Sequence, residues 1–156
     1  MTTTMVTIES GPAREAWRAL LELADEPGPL SRYLHDGVLY GAVDDRTQRP
    51  LGAVLVIEVD DRTAELRAVA VGEGEQGRGL GTWMVSEVCD RLRASSIRIV
   101  VGTASSGTRQ LAFYQRLGFR LTHVERDYFT EGCGYPPGLQ ENDIPTRDMV
   151  WMDLEY

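Results

Sequence analysis

Residues 66–82 read LRAVAVGEGEQGRGLGT, an apolar run followed by a glycine-dense loop. Within the loop, residues 72–77 (GEGEQG) match the G-x-G-x-x-G pattern of dinucleotide-binding folds. The next apolar strand, Ile97 to Val101, has no acidic residue at its end to hold a ribose hydroxyl. Glu73 and Glu75 would also repel a pyrophosphate. These features disfavour a flavin- or nicotinamide-binding site in this register.

A second register of the same loop is more informative. Residues 76–81 (QGRGLG) lead directly into apolar positions of helical spacing, Leu80, Trp83, Met84, Val88 and Leu92. Glycines leave backbone N–H groups unobstructed, and a helix N-terminus carries a partial positive charge. The cradle predicted for a pyrophosphate consists of Gln76, Gly77, Arg78, Gly79, Leu80 and Gly81. The alternative is a glycine-rich turn whose glycines only permit tight backbone angles.

The rest of the chain predicts strands and helices in mixed order, hence an α/β domain. The predicted strands are Val6 to Ile8, Val38 to Val43, Leu51 to Val59, Thr63 to Val71, Ile97 to Val101, Phe119 to Tyr128 and Met149 to Leu154. The predicted helices are one capped at Ser10 that buries Trp17, Leu20, Leu21 and Ala24, a short one from Pro29 to His35, one after the glycine loop, and one from about Thr108 to Leu117 that stops at Gly118. Without a repeat or linker, residues 1–156 are expected to form a single domain.

Composition excludes several functions. The formal net charge is −8, and all 16 basic residues are Arg. Without Lys there is no Schiff-base chemistry and no Lys-containing P-loop, and the acidic balance disfavours nucleic acid as a partner. Residues 1–10 lack the pattern of a signal peptide, and the longest apolar stretch, Leu51 to Ile57, is too short to span a membrane. Cys89 and Cys133 form no disulfide or zinc pattern, so a cytoplasmic protein without a metal is expected.

Residues 110–119 (QLAFYQRLGF) form a second motif downstream of the loop. The QxxGxG loop, the FYxxxGF segment and the strand at residues 66–71, in this order, resemble the GNAT superfamily of acetyl-CoA-dependent N-acetyltransferases. The resemblance extends from about Val38 to Phe119, and residues 140–150 (QENDIPTRDMV) resemble an uncharacterised bacterial subgroup. It implies an α/β GNAT fold, a central mixed sheet of about six to seven strands flanked by about four helices.

The resemblance also implies where acetyl-CoA would bind as co-substrate. The strand before the loop would pair its free backbone groups, at Val69, Ala70 and Val71, with the pantetheine arm. The pyrophosphate would lie on the residues from Gln76 to Thr82. Family members commonly place an Asn after the following strand. This chain has Ser105 and Ser106 there, and the hydroxyl of Ser105 is expected to replace one amide hydrogen bond.

Two catalytic residues follow from the same resemblance. Tyr114 matches the family tyrosine that donates a proton to the coenzyme thiolate; the alternative is that its ring only packs beneath the cofactor. Glu65 lies where some members carry a catalytic glutamate, and the alternatives are a water chain as the base or a solvent-facing strand residue. His35 and His123 have no partners in a recognisable spacing and are expected to be surface or packing residues.

The acceptor is expected to be a small-molecule or peptide amine. The segment from Phe129 to Thr146 has no clear period, which is typical of functional or disordered connections. The acidic and aromatic residues around it would suit a cationic amine and are Glu125, Asp127, Tyr128, Phe129, Glu131, Tyr135, Glu141 and Asp143. A polyamine, an aminoglycoside and a protein N-terminus remain open, as does a non-catalytic acetyl-CoA-binding sensor. The strand from Met149 to Leu154 would complete the sheet alone or take part in a homodimer.

Overall fold

A computed structural model describes residues 2–156 of the chain. Along the chain, its elements are β1 (Thr3–Ile8), α1 (Pro12–Glu15), α2 (Arg18–Leu21), α3 (Pro27–Tyr33), β2 (Val38–Asp44), β3 (Pro50–Asp60), β4 (Thr63–Val71), α4 (Leu80–Leu92), β5 (Arg98–Ala104), α5 (Thr108–Arg116), β6 (Arg120–Glu125), β7 (Gln140–Glu141), β8 (Ile144–Pro145) and β9 (Met149–Glu155).

Seven strands form one mixed sheet in the order β1-β2-β3-β4-β5-β9-β6, and β7 and β8 form a separate two-stranded ribbon. Only β4 and β5 run parallel; every other neighbouring pair in the large sheet is antiparallel. The predicted hairpin between β3 and β4 is present, with Asp60 opposite Thr63 across the turn. The mixed α/β prediction is confirmed.

Strand β3, the third of the seven, is covered on both faces, which explains its continuous run of buried residues from Leu51 to Val56. On one face, Met84 and Val88 of α4 pack into a cluster that also contains Tyr114 and Phe119. The other face carries a second cluster, built from residues of α2, α3 and their flanks. Burying a large aliphatic side chain contributes about 1.5–3 kcal/mol, so these two layers fix the sheet that carries the site.

The first predicted helix differs from the structure. It is interrupted at Trp17, which leaves two short helices, α1 and α2, and its N-cap is Gly11 at φ 94° rather than Ser10. Arg14 of α1 is buried, and its guanidinium donates to the carbonyls of Ile8 at 2.9 Å and Asp36 at 2.7 Å. These contacts hold α1 against the end of β1 and the turn after α3. The break accounts for five helices instead of about four.

Strand β9 lies inside the sheet, between β5 and β6. It pairs with β5 from Met149 to Glu155 and with β6 from Met149 to Asp153, so it completes the sheet and both its edges are occupied. The edge strand is β6, which is shorter than the predicted Phe119 to Tyr128. Within the described residues, no helix has the length and apolar character needed to cross a membrane.

Candidate active site

The sheet opens between β4 and β5. These parallel strands pair only from Thr63 to Leu66 and from Arg98 to Val101. Beyond that point β4 continues to pair with β3 as far as Val71, and β5 pairs with β9 as far as Ala104. The facing edges of the two strands therefore separate, and the predicted positions Val69, Ala70 and Val71 lie in the part of β4 that has no partner on its β5 side.

A bulge marks the start of this opening. Leu55 of β3 pairs with Ala68, whereas the next residue, Val56, pairs with Leu66, so Arg67 is an extra residue on β4. A bulge bends its strand, increases the local twist and re-aims the side chain that it carries. The irregularity thus separates β4 from β5 at the point where the gap begins.

A cavity of about 430 Å³ occupies the gap. It brings Glu65, Val69 and Tyr114 together from the predicted site. Its lining consists of Glu22–Glu26, Glu65–Val69, Val101–Ala104, Gln110, Tyr114, Tyr128, Phe129, Tyr135, Leu139–Glu141, Thr146 and Met149. The segment from Phe129 to Thr146, which has no period in the sequence, is therefore a wall of the site.

The glycine loop leaves its backbone open at the start of α4. Gly77 and Gly79 have φ values of 76° and 80°, and Gly79 is the N-cap of α4. A Cβ at either glycine would meet no atom within 4 Å, so space remains above the helix N-terminus. Gly81 differs, because its Cβ would meet Val71 at 3.4 Å and Phe113 at 3.5 Å. The first two glycines thus suit an anion cradle and Gly81 suits close helix packing.

Side chains of the loop are arranged around that cradle. Glu75 is buried and paired with Arg49 at 3.0 Å and Arg78 at 3.8 Å, so its charge is partly compensated. The Gln76 amide donates to the carbonyl of Val71 at 3.3 Å and links the loop to the end of β4. A second cavity of about 460 Å³ is lined by Arg78, Gly79 and Leu80 among others. These residues fit a pyrophosphate that is bound by backbone N–H groups and one guanidinium.

Tyr114 lines the cavity between β4 and β5 and is buried, with 6% of its surface exposed. Its ring makes edge contacts with Phe113 and Phe119, at centroid distances of 5.0 and 5.6 Å. Burial raises the pKa of the phenol above its ordinary value. A phenol is protonated at neutral pH even at its ordinary pKa of about 10, so the hydroxyl holds the proton that a donor requires.

Glu65 is not the solvent-facing residue of the alternative interpretation: only 13% of its side chain is exposed, and it lines the cavity. Arg67 Nη1 donates to Glu65 Oε2 at 3.4 Å. Burial raises the pKa of the carboxyl group, and the charge and hydrogen bond of Arg67 act in the opposite direction. A carboxylate with a raised pKa in a cavity is suited to proton transfer.

Sequence reasoning missed a polar cluster on the opposite wall. Asp25 Oδ2 accepts a hydrogen bond from the Tyr33 hydroxyl at 2.7 Å, and Oδ1 accepts one from Tyr135 at 3.0 Å. Burial, followed by the charge of Asp25, raises the pKa of both tyrosines. The Arg67 guanidinium lies 4.7 Å from the centre of the Tyr33 ring. Arg67 could have been noticed in the sequence because it lies two residues after Glu65, on the same face of an apolar strand. No sequence pattern indicates Asp25.

The serines after β5 lie outside the linings of both cavities. The Ser105 backbone N–H donates to the carbonyl of Asp148 at 2.9 Å. Ser106 is fully buried, with its hydroxyl 3.0 Å from that of Thr146, and its carbonyl accepts a hydrogen bond from the Asn142 amide at 2.8 Å. The pair thus anchors the segment from Phe129 to Thr146, and the structure does not bring Ser105 to the other predicted residues.

The histidines and cysteines stand apart from the cavity. His35 Nε2 lies 2.9 Å from Glu15 and His123 stacks on Trp151, and both are exposed, as expected for surface residues. Cys89 and Cys133 are free, and burial raises the pKa of the Cys89 thiol to about 11. Within residues 2–156, no cluster of His, Cys, Asp and Glu is arranged to hold a metal ion.

Comparisons with known proteins agree with this geometry. The family model described as "Acetyltransferase (GNAT) family" matches residues 5–119. An uncharacterised N-acetyltransferase, YvbK, of Bacillus subtilis (strain 168) is 31% identical over 139 residues, which cover 87% of this chain and 86% of that protein.

Two solved structures are similar over nearly the whole chain. A GNAT family acetyltransferase from Elizabethkingia anophelis with acetyl-CoA bound has a TM-score of 0.87 and 30% identity, covering 99% of this chain and 98% of that one. An IAA acetyltransferase from Bacillus cereus ATCC 14579 has a TM-score of 0.87 and 29% identity, covering 99% and 100%. The sheet that opens between β4 and β5, the glycine loop before α4 and the family match lead to one conclusion: this chain is an N-acetyltransferase of the GNAT family.

Proposed function

We propose that the protein transfers the acetyl group of acetyl-CoA to the nitrogen of a small-molecule or peptide amine by direct attack in a ternary complex. One observation carries the proposal: Glu65, Tyr114 and the part of β4 without a partner on its β5 side all border the same gap in the sheet. A donor that pairs with β4 would place its reactive end between the two side chains. The sensor alternative has no support, since the relatives are named acetyltransferases.

In the proposed reaction, acetyl-CoA binds as the second substrate. The backbone of Val69, Ala70 and Val71 would pair with the pantetheine arm. The pyrophosphate would lie on the residues from Gln76 to Thr82, where open glycines and the N-terminus of α4 favour an anion. Ser105 is offered as a lesser contact, since it borders neither cavity.

The chemical step forms a C–N bond and breaks a C–S bond. The neutral amine attacks the thioester carbonyl, and the electron pair of the broken bond leaves with the coenzyme sulfur. Tyr114 donates its phenolic proton to that sulfur, since its hydroxyl is protonated at neutral pH and the residue lines the same cavity. Glu65 first takes the proton of the ammonium form and passes it to solvent. The proton that the nitrogen loses after the attack then passes to Glu65, directly or through water, and Tyr114 is reprotonated from solvent.

Glu65 is the proposed base because amines arrive protonated. An alkyl amine with a pKa about three units above 7 costs about 4 kcal/mol to deprotonate at neutral pH. A buried carboxylate whose pKa is raised accepts such a proton more readily than an ordinary surface glutamate. Of the five acidic residues predicted near the acceptor, only Glu141 lines the cavity, where Glu22 and Glu26 join it. These carboxylates would attract the ammonium form of the acceptor.

Release of free thiol from acetyl-CoA, measured across a panel of amines, tests the proposal. Thiol should appear only with an amine present, and the acetylated amine should be found by mass spectrometry. Thermal unfolding should shift upward with acetyl-CoA and not with NAD or a flavin, because a ligand that binds the native state stabilises it. Binding of acetyl-CoA without thiol release from any amine would contradict the transfer.

A further inference from the structure

Arg67 is the one basic side chain among the described residues that line the cavity between β4 and β5. The other charged groups of the lining are carboxylates, at Glu22, Asp25, Glu26, Glu65 and Glu141. If Arg67 only neutralised these carboxylates, its guanidinium would be surrounded by them and hydrogen-bonded to them. Instead, 30% of the Arg67 side chain remains exposed to the cavity, and its contact with Glu65 is long, at 3.4 Å.

The backbone and a tyrosine ring hold this guanidinium in place. Arg67 is the extra residue of the β4 bulge, so its side chain is aimed by the irregularity that opens the sheet. Its guanidinium carbon lies 4.7 Å from the centre of the Tyr33 ring. The Tyr33 hydroxyl is fixed in turn by Asp25. A planar cation stacked on a ring keeps its N–H edge available for a ligand in the plane.

Most N–H donors of the Arg67 guanidinium have no hydrogen-bond partner among the described residues. A guanidinium carries five N–H groups, and among residues 2–156 the one hydrogen bond it makes is with Glu65. Asp25 does not compete for these donors, because its two oxygens accept from Tyr33 and Tyr135. Burial alone would lower the pKa of Arg67, but nearby Tyr128, Glu65 and Tyr33 raise it, so the group stays charged.

We infer that the acceptor is a free amino acid, whose carboxylate binds the N–H edge of Arg67 while its amino group faces Glu65. This inference rests on the proposed acetyl transfer and narrows its substrate class. Glu65 and Arg67 stand two residues apart on β4 and present opposite charges to the cavity, and an α-amino acid carries the complementary charges on one carbon. Guanidinium and carboxylate can form two parallel hydrogen bonds, which fixes the orientation of the acceptor.

The remaining wall is suited to the amino acid side chain. Phe129 makes edge contacts with Tyr128 and Tyr135, at centroid distances of 5.0 and 4.8 Å. These rings line the same cavity as Arg67. An apolar or aromatic side chain would be buried against them, so phenylalanine is a suitable probe.

The test compares phenylalanine, phenylalanine amide and 2-phenylethylamine as acceptors in wild type, Arg67→Gln and Arg67→Lys. The wild type should have a kcat/KM for phenylalanine about 10- to 100-fold above that for either compound without the carboxylate. Arg67→Gln should reduce this ratio to about one, mainly through the KM of phenylalanine, and Arg67→Lys should retain part of it. Arg91→Gln is the matched control, since Arg91 also lies over a tyrosine ring, 5.8 Å from the centre of Tyr40, but does not line the cavity.

The outcomes distinguish the inferred amino acid acceptor from the proposed acetyl transfer. A wild type that prefers 2-phenylethylamine or the amide to phenylalanine would overturn the amino acid inference and leave acetyl transfer in place. An unchanged ratio in both Arg67 variants would also overturn it. Absence of thiol release with all three compounds and with the wider amine panel would contradict the proposed transfer itself. Thermal unfolding of each variant with acetyl-CoA checks that the protein is folded.

Discussion

The hydroxyl of Tyr135 donates a hydrogen bond to Oδ1 of Asp25 at 3.0 Å, across 110 positions of sequence. This bond joins the connection between α2 and α3 to the segment from Phe129 to Thr146, and both regions line the cavity between β4 and β5. One side of that cavity is therefore closed by a contact between two residues, Asp25 and Tyr135, that lie outside the helices and strands.

Removing the hydrogen bond between Tyr135 and Asp25 should make the segment from Phe129 to Thr146 more mobile at the cavity. In Tyr135→Phe, we expect the KM of the acceptor to rise several-fold and that of acetyl-CoA to stay within about two-fold. A hydrogen bond to a charged group contributes about 1.5–3 kcal/mol, so the free energy of unfolding should fall by about that amount. Steady-state kinetics and urea unfolding measure both. Tyr33→Phe is the control, because it removes the other hydrogen bond of Asp25 without detaching Tyr135.

Tyr114→Phe should reduce kcat by about 100-fold or more, since a positioned proton donor contributes about 10²- to 10⁴-fold. The affinity for acetyl-CoA should change little, because the ring and its contacts with Phe113 and Phe119 remain. Single-turnover kinetics and calorimetry separate the two quantities. Tyr40→Phe, on β2, is the matched control. Unchanged turnover in Tyr114→Phe would exclude the acid role and leave only packing.

Glu65 should impose a pH dependence on kcat/KM. Burial raises the pKa of its carboxyl group above 4.5, so below that pKa the base is protonated and the reaction slows. The wild type should lose activity with acid more steeply than Glu65→Gln, because in the variant only the acceptor amine titrates. Glu58→Gln, an exposed substitution on β3, should keep the wild-type profile. Identical profiles for wild type and Glu65→Gln would indicate a water chain as the base.

Substitution of a glycine in the loop should change both the binding of acetyl-CoA and the stability of the protein. Gly79 has a φ of 80°, so Gly79→Ala places a Cβ in the left-handed region at a cost of about 1–2 kcal/mol, even though no atom lies within 4 Å. We expect a lower melting temperature and a KM for acetyl-CoA raised by at least five-fold. Gly74→Ala, where φ is negative and the space is equally open, should change neither. Equal KM values for both variants would contradict the cradle.

Glu15 should make stability depend on pH in acid. Hydrogen bonds from Arg18 and His35 lower its pKa from 4.5 to about 2 in the folded protein. The unfolded state therefore binds the proton more readily, so the stabilisation is complete above pH 4.5 and is lost as the pH falls through about 2. Urea unfolding at pH 7 and pH 3 should show that Glu15→Gln lowers stability at the higher pH and that the difference narrows at the lower one. Glu73→Gln, an exposed residue without an ion pair, should show no such trend.

The parts of the fold that the sequence predicts are those with local signals. The glycine loop, the start of α4 and the end of α5 at Gly118, whose φ is 99°, depend on residues only a few positions apart. The break between α1 and α2 has no local signal, because the apolar spacing of Trp17, Leu20 and Leu21 is that of one continuous helix.

The candidate site also contains residues that the sequence predicts and residues that it does not. Tyr114 and Glu65 are recognised from family motifs, and β4 brings the second to the cavity that holds the first. Arg67 was missed because its role depends on a bulge, and a bulge is visible only when the register with β3 is known. Asp25 and Tyr135 form a pair across 110 positions with no pattern to connect them. Ser105 follows the family by position but lies outside the linings of both cavities.

The place of β9 has a consequence for how the protein is made. Strand β6 pairs only with β9 in the large sheet, and β9 is translated after the whole segment that walls the cavity. During synthesis, strands β1 to β5 can assemble while β6 still has no neighbour to pair with. The two halves of the sheet join only when β9 leaves the ribosome and inserts between β5 and β6. The nascent chain should therefore complete β1 to β5, with Glu65 and Arg67 on β4, before β6 and β9 are added to the sheet.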